Sequence, residues 1–293
     1  MDDLYLQQLF EKARTCVTEE KFLHAVQFYR RILTTDRRNE DAYFELSTVY
    51  IKMKNRSAAE QVLEEALYNC GENPGIVFAV GTLYLQQGEP SKALEFFKKV
   101  ESTKKPDVYF NMGLAYAGLN NSRYAEKYFR LTYHYDSRFP KIQEILGELL
   151  LQRQAFGEAI SFLHRALELD PYSWVAHFLL GQCYVGIYNW KAALGEFTIS
   201  IDMGANEAQV WQRCGQCLLQ LRRYDEAEQY LNKALGIDPH LAATYVDVGY
   251  LHLHRGEIET AIINFNTALT LQPGFPAALE GKRTASVIQQ LES

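Results

Sequence analysis

Residues 208–241 read AQVWQRCGQCLLQLRRYDEAEQYLNKALGIDPHL, and residues 242–275 read AATYVDVGYLHLHRGEIETAIINFNTALTLQPGF. Set one above the other, Gly215 falls on Gly249, Ala227 on Ala261, Ala234 on Ala268 and Pro239 on Pro273. The same 34-residue beat runs outward from this pair. Pro171 stands 68 residues before Pro239, with Ala205 at the beat between. Small residues recur at Ala13, Ser47, Gly81, Gly113, Gly147, Gly181, Gly215 and Gly249. Twelve residues after each comes an alanine: Ala25, Ala59, Ala93, Ala125, Ala159, Ala193, Ala227 and Ala261. A fixed period of this size marks a solenoid of stacked supersecondary units, which presents a long surface instead of enclosing an active site.

The chemistry of one unit explains the spacing. Tyr245, Val248, Gly249 and His252 lie at offsets that share one helix face, and Ala261, Phe265 and Ala268 form a second such set. Gly249 and Ala261 are small because two helices cross closely there. Phe265 fills the wedge between them, and Ala268 admits the first helix of the next unit. Gly256 and Glu257 fall between the two sets, where a helix end and a tight turn are expected. Pro273, with no amide hydrogen to give, stops the second helix or opens the next. Residues 140–173 repeat the scheme with Leu146, Gly147, Leu150, Ala159, Leu163, Ala166 and Pro171.

This pattern resembles the tetratricopeptide repeat family, whose signature is Trp-x-x-Leu-Gly-x-x-Tyr followed by spaced Ala, Phe, Ala and Pro. Trp211, Gly215, Ala227, Ala234 and Pro239 match it, with Cys214 and Leu218 in place of Leu and Tyr. Tyr109, Met112, Gly113, Tyr116, Ala125 and Phe129 match in another unit. The first unit departs most, with Lys12 at the Leu position and Arg37 where Pro would fall. The resemblance implies an all-α, right-handed superhelical solenoid of eight helix-turn-helix units, at about 6–39, 40–73, 74–105, 106–139, 140–173, 174–207, 208–241 and 242–275. No linker-like composition divides the chain, so 1–293 reads as a single solenoid. The step from Gly81 to Gly113 is 32 residues, which trims the loop around Lys104, Lys105 and Pro106 by two. Residues 276–291 read as a final capping helix whose apolar side carries Pro276, Leu279, Val287, Ile288 and Leu291.

Composition and motifs narrow the function. A net charge of −6 and the lack of a basic stripe argue against nucleic acid as a partner. The acidic start Met1-Asp2-Asp3 argues against a secretory leader, and no segment reaches 18 apolar residues, so membrane insertion is not expected. Cys214 and Cys217 form a C-x-x-C on an expected helix, with Cys183 at the position equivalent to Cys217. Without a second ligand pair, the expectation is packed thiols in a reducing, cytoplasmic setting and no metal or other cofactor. No phosphate loop, nucleophile elbow or zinc-helix motif occurs, so the chain is not expected to be an enzyme. Glu144 and Glu148 share a helix face, as paired carboxylates do in acid–base sites, but a solvated acidic face is the commoner meaning.

In the resembled family the first helix of each unit lines the concave surface and selects the ligand. In that register one position carries Phe10, Phe44, Phe78, Phe110, Glu144, Phe178, Gln212 and Val246. The phenylalanines either anchor an apolar peptide or helix, or pack under neighbouring helices. Gln209, Gln212, Gln216 and Gln220 form an amide stripe, with Gln182 equivalent to Gln216 and Arg213 beside it. Such a stripe either holds a peptide backbone or is a solvated face. Two ligand sets known in the family are not matched. For the carboxylate clamp of chaperone-binding members, Asn111 and Lys141 fit, but Phe78, Thr82 and Ile145 do not. For the asparagine ladder of sugar-transferring members, only Asn111 stands in place. The resulting expectation is a non-enzymatic adaptor that holds a protein segment in its groove. The alternatives are a self-associating scaffold or spacer using outer surfaces, and a regulatory segment of an enzyme complex.

Overall fold

A computed structural model describes residues 2–292, and among them there are seventeen α-helices and no strand. Contacts divide the chain into two compact units, residues 1–140 and residues 141–293. The first unit holds α1 (Asp2–Thr18), α2 (Phe22–Thr35), α3 (Glu40–Lys52), α4 (Arg56–Cys70), α5 (Pro74–Gln86), α6 (Pro90–Val100), α7 (Pro106–Gly118) and α8 (Ser122–Tyr135). The second holds α9 (Ile142–Gln152), α10 (Phe156–Leu169), α11 (Trp174–Gly186), α12 (Trp190–Asp202), α13 (Ala208–Gln220), α14 (Tyr224–Ile237), α15 (Ala242–His254), α16 (Ile258–Leu271) and α17 (Pro276–Glu292). Each repeat is thus one odd-numbered and one even-numbered helix, the all-α helical repeat that the period predicts.

Local chemistry sets the helix ends. Asn39, Asn55, Asn73, Asn121, Ser173 and Asn189 cap helix starts by accepting a hydrogen bond from a backbone N–H two or three residues on. Proline opens α5, α6, α7 and α17, where its missing N–H costs nothing. Pro171, Pro239 and Pro273 lie just beyond the ends of α10, α14 and α16, so they follow the second helix and do not open the next.

The turn inside each repeat has a form that the sequence barely signals. Glu20, Lys54, Gly88, Asn120, Gln154, Tyr188, Arg222 and Gly256 all adopt a left-handed backbone, with φ between 56° and 76°. In each, the next N–H bonds back five residues, as Asn55 N does to Tyr50 O at 2.9 Å and Glu257 N to His252 O at 2.9 Å. This is the Schellman closure of a helix C-terminus. Only Gly88 and Gly256 are glycine, so the other six accept strain of roughly 1 kcal/mol each. The shortened step acts on a helix as well as a loop. Helix α6 ends at Val100, and a 3₁₀ turn, Glu101–Thr103, leads through left-handed Lys104 into α7.

Packing follows the small-residue beat. A methyl group added at Gly81, Gly113, Gly181 or Gly249 would come within 2.5–2.6 Å of the ring of Phe97, Phe129, Phe197 or Phe265. The wedge residue therefore rests directly on the glycine backbone, and Ala25, Ala59, Ala93, Ala125, Ala159, Ala193, Ala227 and Ala261 are fully buried. Helix α17 docks as a further first helix, but on a different face from the one expected. Its buried residues are Ala278, Gly281 and Ala285, while Leu279, Val287 and Leu291 are exposed. The reason is clearance: a Cβ at Gly281 would sit 2.4 Å from the Phe265 ring, so only small residues fit against α16.

Candidate functional site: the first-helix face

Several neighbouring first helices lie against one another: α3 on α5 and α5 on α7 in the first unit, then α9 on α11, α13 on α15 and α15 on α17 in the second. Second helices of neighbouring repeats make no comparable contact. A stack that is tight along one row of helices and splayed along the other curves toward the tight row.

The phenylalanine series divides its surface between packing and exposure. Phe10 meets Tyr29 edge-on at 6.2 Å, Phe78 leans on Phe97 at 5.8 Å, and Phe178 on Phe197 at 5.6 Å. Phe110 sits between Phe129, at 5.7 Å, and Phe139, at 4.8 Å. Each of these four packs on the wedge residue of its own repeat and stays half-buried. Phe44 has an aliphatic wedge residue, Leu63, and is 46% exposed. Beside Phe78 a small cavity of about 140 Å³ is lined by Pro74, Val100, Thr103, Lys105 and Val108, at the shortened step. Asn111 turns its amide inward to its own helix, donating to Asp107 O at 2.8 Å.

Charged groups tie the first unit together around Glu45. Arg14 donates to both of its oxygens through Nε at 3.1 Å, and Tyr29 donates its hydroxyl to Oε2 at 2.7 Å. Burial is the main reason the Tyr29 phenol is raised well above the ordinary range, and the Glu45 carboxylate adds to it. Glu144, the candidate acid–base carboxylate, instead accepts a hydrogen bond from Ser173 at 2.5 Å.

The glutamine stripe does not form one uniform surface. Gln209 and Gln220 are exposed, Gln182 and Gln216 are half-buried, and Gln212 is 4% exposed. Gln212 donates through Nε2 to Asp247 Oδ2 at 2.5 Å, linking α13 to α15. Arg213 donates Nη1 to Gln216 Oε1 at 2.9 Å, and its Nε is buried without a partner. Asp247 is only 7% exposed; burial pushes its carboxyl from 3.8 up to about 7, partly offset by the Gln212 hydrogen bond and the Arg213 charge. Asp247 was not among the residues expected to matter. The signal was present as one carboxylate in the otherwise apolar run Tyr245, Val246, Val248, Gly249.

The thiols pack as small apolar groups. Cys183, Cys214 and Cys217 are buried, and desolvation raises Cys183 to about 11, Cys217 to about 12 and Cys214 higher still. Among the described residues no group of three or more His, Cys, Asp and Glu side chains converges as metal ligands. None of their helices is long and apolar enough to cross a membrane.

Family models described as tetratricopeptide repeat match residues 40–73, 110–173 and 208–241. The chain is 24% identical over 241 residues to the BBSome complex member BBS4 homolog of Drosophila melanogaster, covering 78% of this chain and 49% of the fly protein. It is 24% identical over 240 residues to the cell division cycle protein 16 homolog of Homo sapiens, covering 80% of this chain and 34% of the human protein. The chain thus spans about half the length, or less, of these curated relatives. The crystal structure of the APC/C hetero-tetramer Cut9-Hcn1 contains a chain of similar fold, with a TM-score of 0.60 at 20% identity over 94% of this chain and 55% of that one.

Proposed function

The chain belongs to the tetratricopeptide repeat family, and from that premise we propose that it is a non-enzymatic protein-interaction module whose first-helix face holds a segment of a partner protein. The observation carrying this reading is the row of half-exposed rings on that face, with Phe44 the most open at 46%. Aromatic rings that a solvated protein keeps partly bare at regular spacing are what hot spots are made of. In the first unit Phe44, Phe78 and Phe110 anchor an apolar ligand segment, and in the second Arg213 and Gln216 offer polar contacts. The unbroken beat from Gly113 to Gly147 supports treating 1–293 as one working solenoid. The five free cysteines favour a reducing compartment such as the cytoplasm.

A second reading has its own support. The fly relative is described as a complex member, and the structural neighbour comes from a hetero-tetramer. On that reading the chain is a scaffold subunit whose outer surfaces also carry contacts. Affinity capture with wild type and with a Phe44→Ala, Phe78→Ala, Phe110→Ala triple variant separates the two. Loss of partners from a variant that keeps its helical circular dichroism supports the groove. Equal capture by both baits overturns the groove reading and leaves the scaffold role.

A further inference from the structure

In the second unit the first helices α13, α15 and α17 surround a cavity of about 500 Å³. It opens where the phenylalanine position changes, because Val246 stands there in the eighth repeat and lines the cavity. Its walls are apolar: Leu219, Val246, Tyr250, Leu253 and Ile288. Its polar lining is Gln216, Gln220, Asp247, His254 and Thr284, with Asp247 the one carboxylate among them. Asp247 gives Oδ2 to Gln212, while Oδ1 accepts no hydrogen bond and is not sealed in the core. A buried carboxylate with one oxygen free of hydrogen bonds, in the lining of a largely apolar cavity, is complementary to a cation brought in by a ligand.

Arg213 and Cys217 lie near Asp247 on α13, Tyr250 and His254 share α15 with it, and Glu280 on α17 acts on Tyr250. Arg213 directs Nη1 to Gln216 Oε1 and makes no hydrogen bond with Asp247.

We propose that this cavity takes the side chain of a lysine from the partner segment, with its methylenes on the apolar walls and its ammonium on Asp247 Oδ1. The inference rests on the first-helix face being the partner surface, and it names the chemistry recognised on that face of the second unit. Lysine fits better than arginine because a guanidinium binds a carboxylate best through two oxygens at once, and Gln212 already holds Oδ2. A compact ammonium needs one oxygen only.

The test uses the full chain and three small probes: N-acetyl-lysine methylamide, its arginine analogue, and its norleucine analogue, which keeps the alkyl stem without the charge. Binding is followed by NMR at the side chains of Gln216 and Leu219, with probes at up to tens of millimolar. The expected result is saturable lysine binding, weaker arginine binding and none for norleucine. In Asp247→Asn, which keeps the shape and an acceptor for Gln212, lysine binding falls about tenfold or more. Val246→Phe, which restores the ring found in other repeats, blocks the cavity and abolishes binding. Saturable lysine binding that survives either substitution overturns the assignment, as does arginine binding as tightly as lysine or the absence of any saturable shift with wild type. The outcome is separable from that of the groove reading: failure here with loss of partners from the triple phenylalanine variant leaves the groove intact and removes only the lysine pocket.

Discussion

A buried carboxylate is costly to ionise, and Asp247 shows what that cost does. Its folded-state value is about 7 against an ordinary 3.8, chiefly because burial disfavours the charge. Between those limits the folded protein holds a proton that the unfolded chain has released, so raising the pH drives unfolding. The contribution is fully present below 3.8, is lost as pH rises toward about 7, and is level above that. Urea unfolding of wild type and Asp247→Asn across this range is expected to show a difference that grows with pH in favour of the variant. Parallel pH curves would show that the carboxyl titrates normally. The sequence exposed this residue as a charge among apolar neighbours, yet not its partner. Gln212 lies 35 residues away and was grouped with Gln209, Gln216 and Gln220 because helical spacing puts all four near one face. Spacing alone cannot tell that the neighbouring helix covers one of them and leaves the next two half or fully bare.

At the scale of helices, the repeat beat records clearance. Gly181 lies under the Phe197 ring, where an added Cβ would stand 2.5 Å from the nearest ring carbon, whereas Gly195 in α12 has nothing within 4 Å of that position. Gly181→Ala is therefore expected to destabilise by about 1–3 kcal/mol through overpacking. Gly195→Ala is expected to stabilise by about 0.5–1 kcal/mol, because alanine is the better helix former and restricts the unfolded chain. Thermal unfolding of the two variants checks the contrast, and a shared sign would refute it. The small crossing residues were legible because every repeat has one: glycine in six, Ala13 and Ser47 in the first two. The turns were not, since six of eight left-handed positions carry side chains. There the geometry is imposed by the packed helices on either side, so the residue occupying the turn need not advertise it.

For the molecule as a whole, stability is expected to pass from repeat to repeat, each leaning on its neighbours. Beyond the eighth repeat, α17 buries Ala278, Gly281 and Ala285 and covers Phe265. Removing residues 276–291 should lower the unfolding temperature and promote aggregation, because Tyr250, Phe265 and the walls of the 500 Å³ cavity lose their cover. A truncated chain that unfolds and sediments like wild type would show that α17 caps nothing. The single-solenoid expectation came from period alone, and period is blind to how firmly successive repeats pack. Contacts concentrate in residues 1–140 and in residues 141–293, a division that no composition change in the sequence marks.

The sequence by itself determined the all-α repeat, its step, the crossing glycines and alanines, and the shortened step at Gly81 to Gly113, because these recur wherever two helices must cross closely. It also marked the phenylalanine row, since every repeat projects that position in the same direction. Only the tertiary structure decided which rings remain bare, which face of α17 docks, and that Gln212 meets Asp247 beside an open cavity. The physical reason is that a period expresses what all repeats share. Burial and partnership depend on the one neighbour that each side chain meets after the helices have packed.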